Sequence, residues 1–359
     1  MIETEGPVET EFELEPPSAA RRAFVTTVIV VATIVGVLAL WKLRLVVALL
    51  LAAITISAAM RPGVEWLASK RIPRAVGVLL HYLVLIGLVA LFLGLAVPRL
   101  TNEVQAALAI KANAHTGSGV KDKVLNAIAK KLHHLPAAGA LVHPALSAGE
   151  EAMKVLVGIL FTFAAAAYWL FEREHAIGTI ASLFPRPRRK KLRDTWDLIE
   201  QKLGAFIRGQ ILMIVFVATV ASGIFTLVGE PYALLIGIAT GLLEVIPVVG
   251  PFVAIVLTAG AGLTVSWHTA ALAAGLLLTL RLLQDYLISP RVLGGAVGLP
   301  PLAVLISVSA VGILLGPFYV LLSVPIAALV VTIVDVAVRG ADPTEAEVPA
   351  VIFTPKDAE

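Results

Sequence analysis

One carboxylate, Glu244, stands in the apolar stretch GLLEVIPVVGPF at residues 241–252, and Pro247, Gly250 and Pro251 follow it closely. It is the only acidic residue between positions 231 and 284. A charged carboxylate at membrane depth costs at least ~2.5 kcal/mol, so such groups face a protein interior or a watery cavity. There it can hold a polar solute or a proton. The acid form donates a hydrogen bond and the carboxylate only accepts, so protonation can be tied to loading and release. The plain alternative is a carboxylate that caps or salt-bridges a broken helix. Further along, Arg281 and Asp285 are four apart, on one helix face and able to pair. Gln284 lies between them, and Gln210 follows Arg208 at the start of another apolar run. Arg208 reads as an interfacial anchor, with Gln210 reaching towards a cavity. Pro290, Gly316 and Pro317 mark later interruptions and complete the candidate substrate or proton pathway.

These residues need elements that bring them together inside a bilayer. Residues 233–247 would give roughly 22 Å of helix, short of the ~30 Å hydrocarbon core. Residues 252–267 are similarly short. Pro247 and Pro251 each lack a backbone donor, and Gly250 permits a tight turn. A re-entrant hairpin with its tip at PVVGP is one reading, and two complete tilted spans joined by a turn are the other. Broken backbone at that depth is tolerable only inside protein or beside water. A second interruption follows. Residues 269–288 form a polar-bearing span, Pro301–Gly316 is another short apolar piece, and Gly316-Pro317-Phe318 leads into residues 319–338. GPF thus recurs at 250–252 and 316–318. Paired interrupted helices are a sequence pointer to a transporter's midplane site. On that pattern the two turns should approach each other.

Composition fixes the class. The 359 residues are 58% hydrophobic and 15% charged, with mean hydropathy +0.93. Soluble domains run nearer 25% charged. The expectation is an all-α, polytopic integral membrane protein of about seven or eight membrane segments, counting two re-entrant or broken-helix hairpins. The clear spans are near 23–41, 45–60, 75–97, 153–171 and 207–228. Basic residues cluster at Arg61, Lys70, Arg71 and Arg74, and again in RPRRKKLR at 186–193. The positive-inside rule puts both clusters and both termini in the cytoplasm. Residues 98–152 then form an extracytoplasmic helical cap. Residues 172–206 form a basic cytoplasmic loop. Within it, Leu192, Trp196, Ile199, Leu203, Phe206 and Ile207 trace an amphipathic helix, lying on the membrane or packed on the protein itself.

Residues 1–22 read as an acidic disordered tail and 339–359 as a C-terminal tail. The first twenty residues hold six glutamates and no Lys or Arg, unlike a secretory signal. Arg21-Arg22 resembles a twin-arginine signal, but the following run is long enough to span. Trp41, Trp169 and Trp267 lie near span ends, as interfacial aromatics do. His81 reads as a satisfied interior histidine, and His133, His134 and His143 show no ligand pattern. The chain has no cysteine, so thiol chemistry is excluded. No nucleotide-binding, hydrolase or metalloprotease motif occurs, so neither an enzyme nor a bound cofactor or metal is expected. The basic clusters follow topology, which argues against nucleic-acid binding.

IRGQ at 207–210, LVGEPYALLIGIATGLLEVIPVVGPFVAIV at 227–256 and QDYLISPRVLGGAVGLPPLAVLIS at 284–307 resemble the autoinducer-2 exporter family of bacterial membrane transporters. SVPIAAL at 323–329 resembles its closing segment. The likeness implies membrane transport. Its described cargo is autoinducer-2, a small furanone-derived signal, and some members are reported as sodium/proton antiporters. The chain departs from the family pattern at four places. Gln284 stands where an acidic residue is common, Tyr286 where Asn is, Pro300 where His is and Tyr319 where Gly is. If the family's polar cluster reads cargo, the expected selectivity differs from the family's. The expected function is a secondary exporter of a small polar or amphipathic solute in a bacterial inner membrane. A monovalent cation/proton antiporter is the second reading, and a non-transporting scaffold the third. The expected partners are a small solute, protons or sodium, and lipid. Cargo, coupling ion, direction and oligomeric state, a homo-oligomer included, are not fixed by these residues.

Overall fold

A computed structural model describes residues 19–88, 90, 91, 94, 142–230, 233–247, 249–263, 265–289, 299–346 and 348. The regular elements described are all helical. They are α1 (Ala19–Lys42), α2 (Arg44–Ser69), α3 (Arg74–Leu88), α4 (Val142–Ser182), α5 (Arg186–Val228), α6 (Ala233–Leu243), α7 (Val249–Gly262), α8 (Trp267–Leu283), α9 (Pro301–Leu314) and α10 (Ser323–Ala337). A π turn, Gln284–Ile288, continues α8, and a 3-10 turn, Pro317–Leu322, precedes α10. Six described helical segments are long and apolar enough to cross a membrane, and α3, α6, α7 and α9 are shorter apolar helices. The polytopic helical class is therefore as expected.

Several boundaries fall differently from the sequence reading. α2 does not stop at residue 60 but runs through Pro62 to Ser69. Pro62 has no N–H to offer the carbonyl four residues back, that of Ala58. Residues 172–206, expected as a loop, are helical save for a short break before Arg186. Residues 172–182 end α4, and RPRRKKLR makes the opening turns of α5. Arg189 bridges the break, donating to the carbonyls of Phe184 at 2.9 Å and Ser182 at 3.1 Å. The expected amphipathic stretch is the first half of α5. Its apolar face is covered by protein, because Ile199, Leu203 and Ala205 are buried with Val324 and Ala328 of α10. Residues 98–141 of the proposed cap lie outside the described residues, as do both tails in large part. The end of the cap, from Val142, belongs to α4.

α5 carries neighbours along both of its halves. Its first half carries α10. Its second half carries α6, where Gly237 lies against Ser222 and Gly241 against Ile214 and Ala218. Ala221 and Phe225 of α5, Ala254 of α7 and Ala273, Leu277 and Leu280 of α8 form one buried cluster. α5 ends at Gly229, whose φ of 73° lets the N–H groups of Gly229 and Glu230 close back on Thr226 and Phe225. The chain divides into two units, Met1–Val47 and Ala48–Glu359.

Candidate functional site

α6 and α7 are the interrupted pair that the sequence marks. At ~1.5 Å per residue, 11 and 14 residues give roughly 16 and 21 Å, each well short of a hydrocarbon core. The turn between them is Glu244–Pro247, so Gly250 and Pro251 already belong to the first turn of α7. Gly250 is not among the glycines with positive φ. Its missing side chain serves a close approach instead: a Cβ there would lie 1.7 Å from the carbonyl oxygen of Leu243. The second GPF is built differently. Gly316 has φ 109°, a conformation L side chains rarely adopt, and Pro317 begins the 3-10 turn. The two tripeptides are not structural equivalents.

Glu244 follows the last residue of α6 and is buried. Arg281 Nη1 donates to both of its carboxylate oxygens, at 3.1 and 2.9 Å. Gln284 Nε2 donates to Oε2 at 2.9 Å. The same guanidinium reaches Asp285 through Nε and Nη2, each at 3.0 Å. Gln210 of α5 donates to the backbone carbonyl of Glu244 at 2.8 Å. That carbonyl is one of those a helix end leaves without an intrahelical donor. Glu244, Arg281, Gln284, Asp285 and Gln210 thus form one network over three helices. Two carboxylates share one guanidinium. Every described side-chain partner of the Glu244 carboxylate is an N–H donor. Arg281–Asp285 is an ion pair as expected, and Glu244 joins it.

The π turn explains how two consecutive side chains serve one site. An inserted residue shifts the helix phase, and such turns recur at functional sites. Gln284 is buried against Glu244, while Asp285 meets Arg281 on a more open face. A narrow cavity adjoins the network, bounded by Thr240, Glu244, Pro251, Arg281 and Gln284, with Ala254 among its apolar walls. Pro247 holds the turn. Gly316 and Pro317 are not in this cavity's lining. Their segment packs Tyr319 with Ala48 and Val311, and Ser307 of α9 donates to the Ser323 carbonyl at 2.6 Å. Pro290 lies outside the described residues.

Sequence reasoning missed three features. Arg173 and Glu200, both buried, pair at 2.5 Å, and Arg173 also pairs with Asp197. The indoles of Trp169 and Trp196 each donate to Glu200 at 2.8 Å. Arg61 reaches Glu200 at 3.6 Å and Glu65 at 2.6 Å. This clamp ties α2, α4 and α5, so Trp169 is a structural donor as well as an aromatic near a span end. Arg173 and Glu200 at the ends of apolar runs were the available signal. Second, Arg208 approaches the carbonyls of Ala58 and Ala59 at 3.4 Å, where Pro62 has withdrawn its donor. Third, Glu230 is buried at the end of α5, and neither carboxylate oxygen has a hydrogen-bond partner among the described residues. Burial pushes its pKa up to about 7. His81 is satisfied as expected, with Nδ1 2.8 Å from the Gly77 carbonyl and its ring over Gly63.

A family model described as AI-2E family transporter matches residues 28–339. A protein of Bacillus subtilis (strain 168), provisionally named transport protein YrrI, is 28% identical over 297 residues, covering 78% of this chain and 83% of its own. A protein of Mycobacterium tuberculosis (strain CDC 1551 / Oshkosh), provisionally named transport protein MT0215, is 27% identical over 314 residues, covering 83% of this chain and 85% of its own.

Proposed function

This chain belongs to the AI-2E transporter family, and on that premise we propose that it moves a small polar solute past the Glu244–Arg281–Gln284 network. It is a multi-pass helical membrane transporter. The observation that carries the finer reading is the meeting of a helix interruption, a π turn and a charged network beside one cavity. The network offers both hydrogen-bond senses. Arg281 and Gln284 donate, Glu244 and Asp285 accept. A hydroxyl- and carbonyl-bearing solute can replace these contacts one for one, so it enters without leaving a buried charge bare. Autoinducer-2, the cargo in the family's description, has that chemistry. The direction we assign is export. α6 and α7 act as a re-entrant pair, held in protein so that their broken ends are not in lipid. The protein sits in a bacterial inner membrane with both termini cytoplasmic.

The test is uptake of a hydroxylated small solute into inverted vesicles at matched protein level. Wild type should accumulate it, and Glu244→Gln and Arg281→Gln should lose at least about tenfold in rate, the ~1.4 kcal/mol that one good contact supplies. Wild-type rates in both variants would remove the network from the pathway.

A second reading rests on a specific observation, the excess of carboxylate over guanidinium in the network. A site with net negative charge suits a monovalent cation, as an antiporter needs. Cargo-independent proton flux driven by a sodium gradient in proteoliposomes would select it. A non-transporting scaffold leaves the interruptions and the network without a role.

A further inference from the structure

We propose that Glu230 is a titrating site of this protein, a buried carboxyl that binds and releases a proton just beyond the cap of α5, in the same packed unit as the Glu244 network. Its link to flux rests on the transport reading above, while the titration itself does not.

Glu230 follows the cap of α5 and is 5% exposed. It packs where α7 and α8 come closest. A Cβ on Gly262 would lie 2.5 Å from Ala270 Cα and 3.0 Å from Glu230 Oε2. From there one stripe of α7 runs inward as Gly262, Thr258, Ala254 and Gly250, one turn apart and all buried. Ala254 lines the cavity with Thr240 and Glu244. Ser222 of α5 lies against Gly237 of α6. Three buried hydroxyls belong to these helices: Thr258 on the α7 stripe, Ser222 on α5 and Thr240 at the cavity. The span from Gly262 to Gly250 is roughly 18 Å, twelve residues at ~1.5 Å each.

All these groups share one property. Both Glu230 oxygens and the hydroxyls of Ser222, Thr240 and Thr258 are buried without a hydrogen-bond partner among the described residues. Each such group costs about 1–3 kcal/mol when left unpaired, so each of these four side chains calls for a partner. Water or a proton bound at the carboxyl fits, because a hydroxyl can both accept and donate. Carboxyl protonation removes the charge that burial penalises and moves no other bond: carboxylate and proton give the neutral acid.

Charged neighbours do not account for this behaviour. α6 and α7 carry no titratable side chain. On α5 the nearest is Arg208, roughly 33 Å along the helix. α8 brings His268, exposed with its ring edge-on to Trp267, and Arg281, roughly 16 Å beyond Ala270. Desolvation is the cause that remains.

The test is pH-difference infrared spectroscopy of the purified full chain in lipid nanodiscs, with vesicle flux measured in parallel. Wild type should show the carbonyl stretch of a buried carboxylic acid that titrates near neutral pH, and Glu230→Gln should lack it. Flux in wild type should change severalfold across neutral pH. Glu230→Gln should flatten that profile while still transporting, and the isosteric Thr258→Val should weaken it. A wild type with no such band overturns the proposal, whatever the variants do, and so does a band that Glu230→Gln retains. A titrating Glu230 with an unchanged flux profile in Glu230→Gln overturns the link to transport alone. Absence of all flux, with the band intact, counts against the transport reading and leaves the titration standing.

Discussion

Two carboxylates at the residue scale have opposite surroundings. Glu244 is held by three N–H contacts, two of them from the guanidinium it shares with Asp285, whereas Glu230 has no partner among the described residues. We therefore propose the proton role for Glu230 instead of Glu244, and an ion-binding or solute-binding part for Glu244. Removing one member of a buried ion pair typically costs ~3–5 kcal/mol, because the other charge is left bare. Arg281→Gln should lose stability of that order, and the double variant with Glu244→Gln should recover much of it; a thermal-unfolding double-mutant cycle in detergent checks the coupling. Glu230 should behave in the reverse sense. Its folded pKa, about 7, exceeds the reference 4.5, so the folded state holds the proton more tightly. The stability that follows is fully present below about pH 4.5, falls as pH rises and is lost above about 7. At ~1.36 kcal/mol per pKa unit the swing is on the order of 3 kcal/mol. Glu230→Gln should match wild type in acid and exceed it at mildly alkaline pH, read as unfolding midpoints at the two extremes.

Glycine tests the argument at the element scale. α6 and α7 form a pair because Gly250 lets α7 start against the end of α6. Gly250→Ala would drive a Cβ into the Leu243 carbonyl, so the half-helices must part and the Glu244 turn must move with them. We expect several kcal/mol of destabilisation and loss of flux. Gly260, on the same helix, has nothing within 4 Å of a built Cβ. Gly260→Ala should be neutral or stabilising by up to ~1 kcal/mol, since alanine favours helix. Comparing the two in thermal unfolding and flux separates close packing from general helix effects. The breaks themselves were legible, because Pro247 and Pro251 cannot serve a helix ladder and the apolar runs beside them are short. The role of Gly250 was not legible. Glycine at a turn and glycine at a close approach look alike in sequence, and the same ambiguity hid the difference between the two GPF tripeptides. Nor was the partner of Glu244 legible. Arg281 and Gln284 lie 37 and 40 residues away, and helices apolar all round do not show which face turns inward.

For the whole molecule, hydropathy set the class and basic residues set the expected sides, and the geometry supplies an independent argument for the latter. α5 has 43 residues, roughly 64 Å of helix, about twice a hydrocarbon core. One of its ends must stand outside the bilayer. Charge selects the N-terminal end: residues 186–193 hold six Lys or Arg, while 209–229 hold none. The Arg173–Glu200 clamp then fixes what accompanies it. Arg61 and Glu65 of α2, Arg173 of α4 and Asp197 and Glu200 of α5 meet in one network, and Arg74 at the start of α3 shares a cavity with Arg61 and Arg173. Both basic clusters therefore lie at the same end, and on the positive-inside rule we propose that this end is cytoplasmic. Glu230 and the α7–α8 connection, at the other end of α5, then lie towards the outside. The chain has no cysteine, so a single introduced thiol reports its side without background. Ser182→Cys, exposed at the end of α4, should resist an impermeant thiol reagent in intact cells and react in inverted vesicles. Ser118→Cys should do the opposite. Labelling of Ser182→Cys from outside would invert the orientation, place Glu230 towards the cytoplasm, and turn the proposed direction of transport around with it.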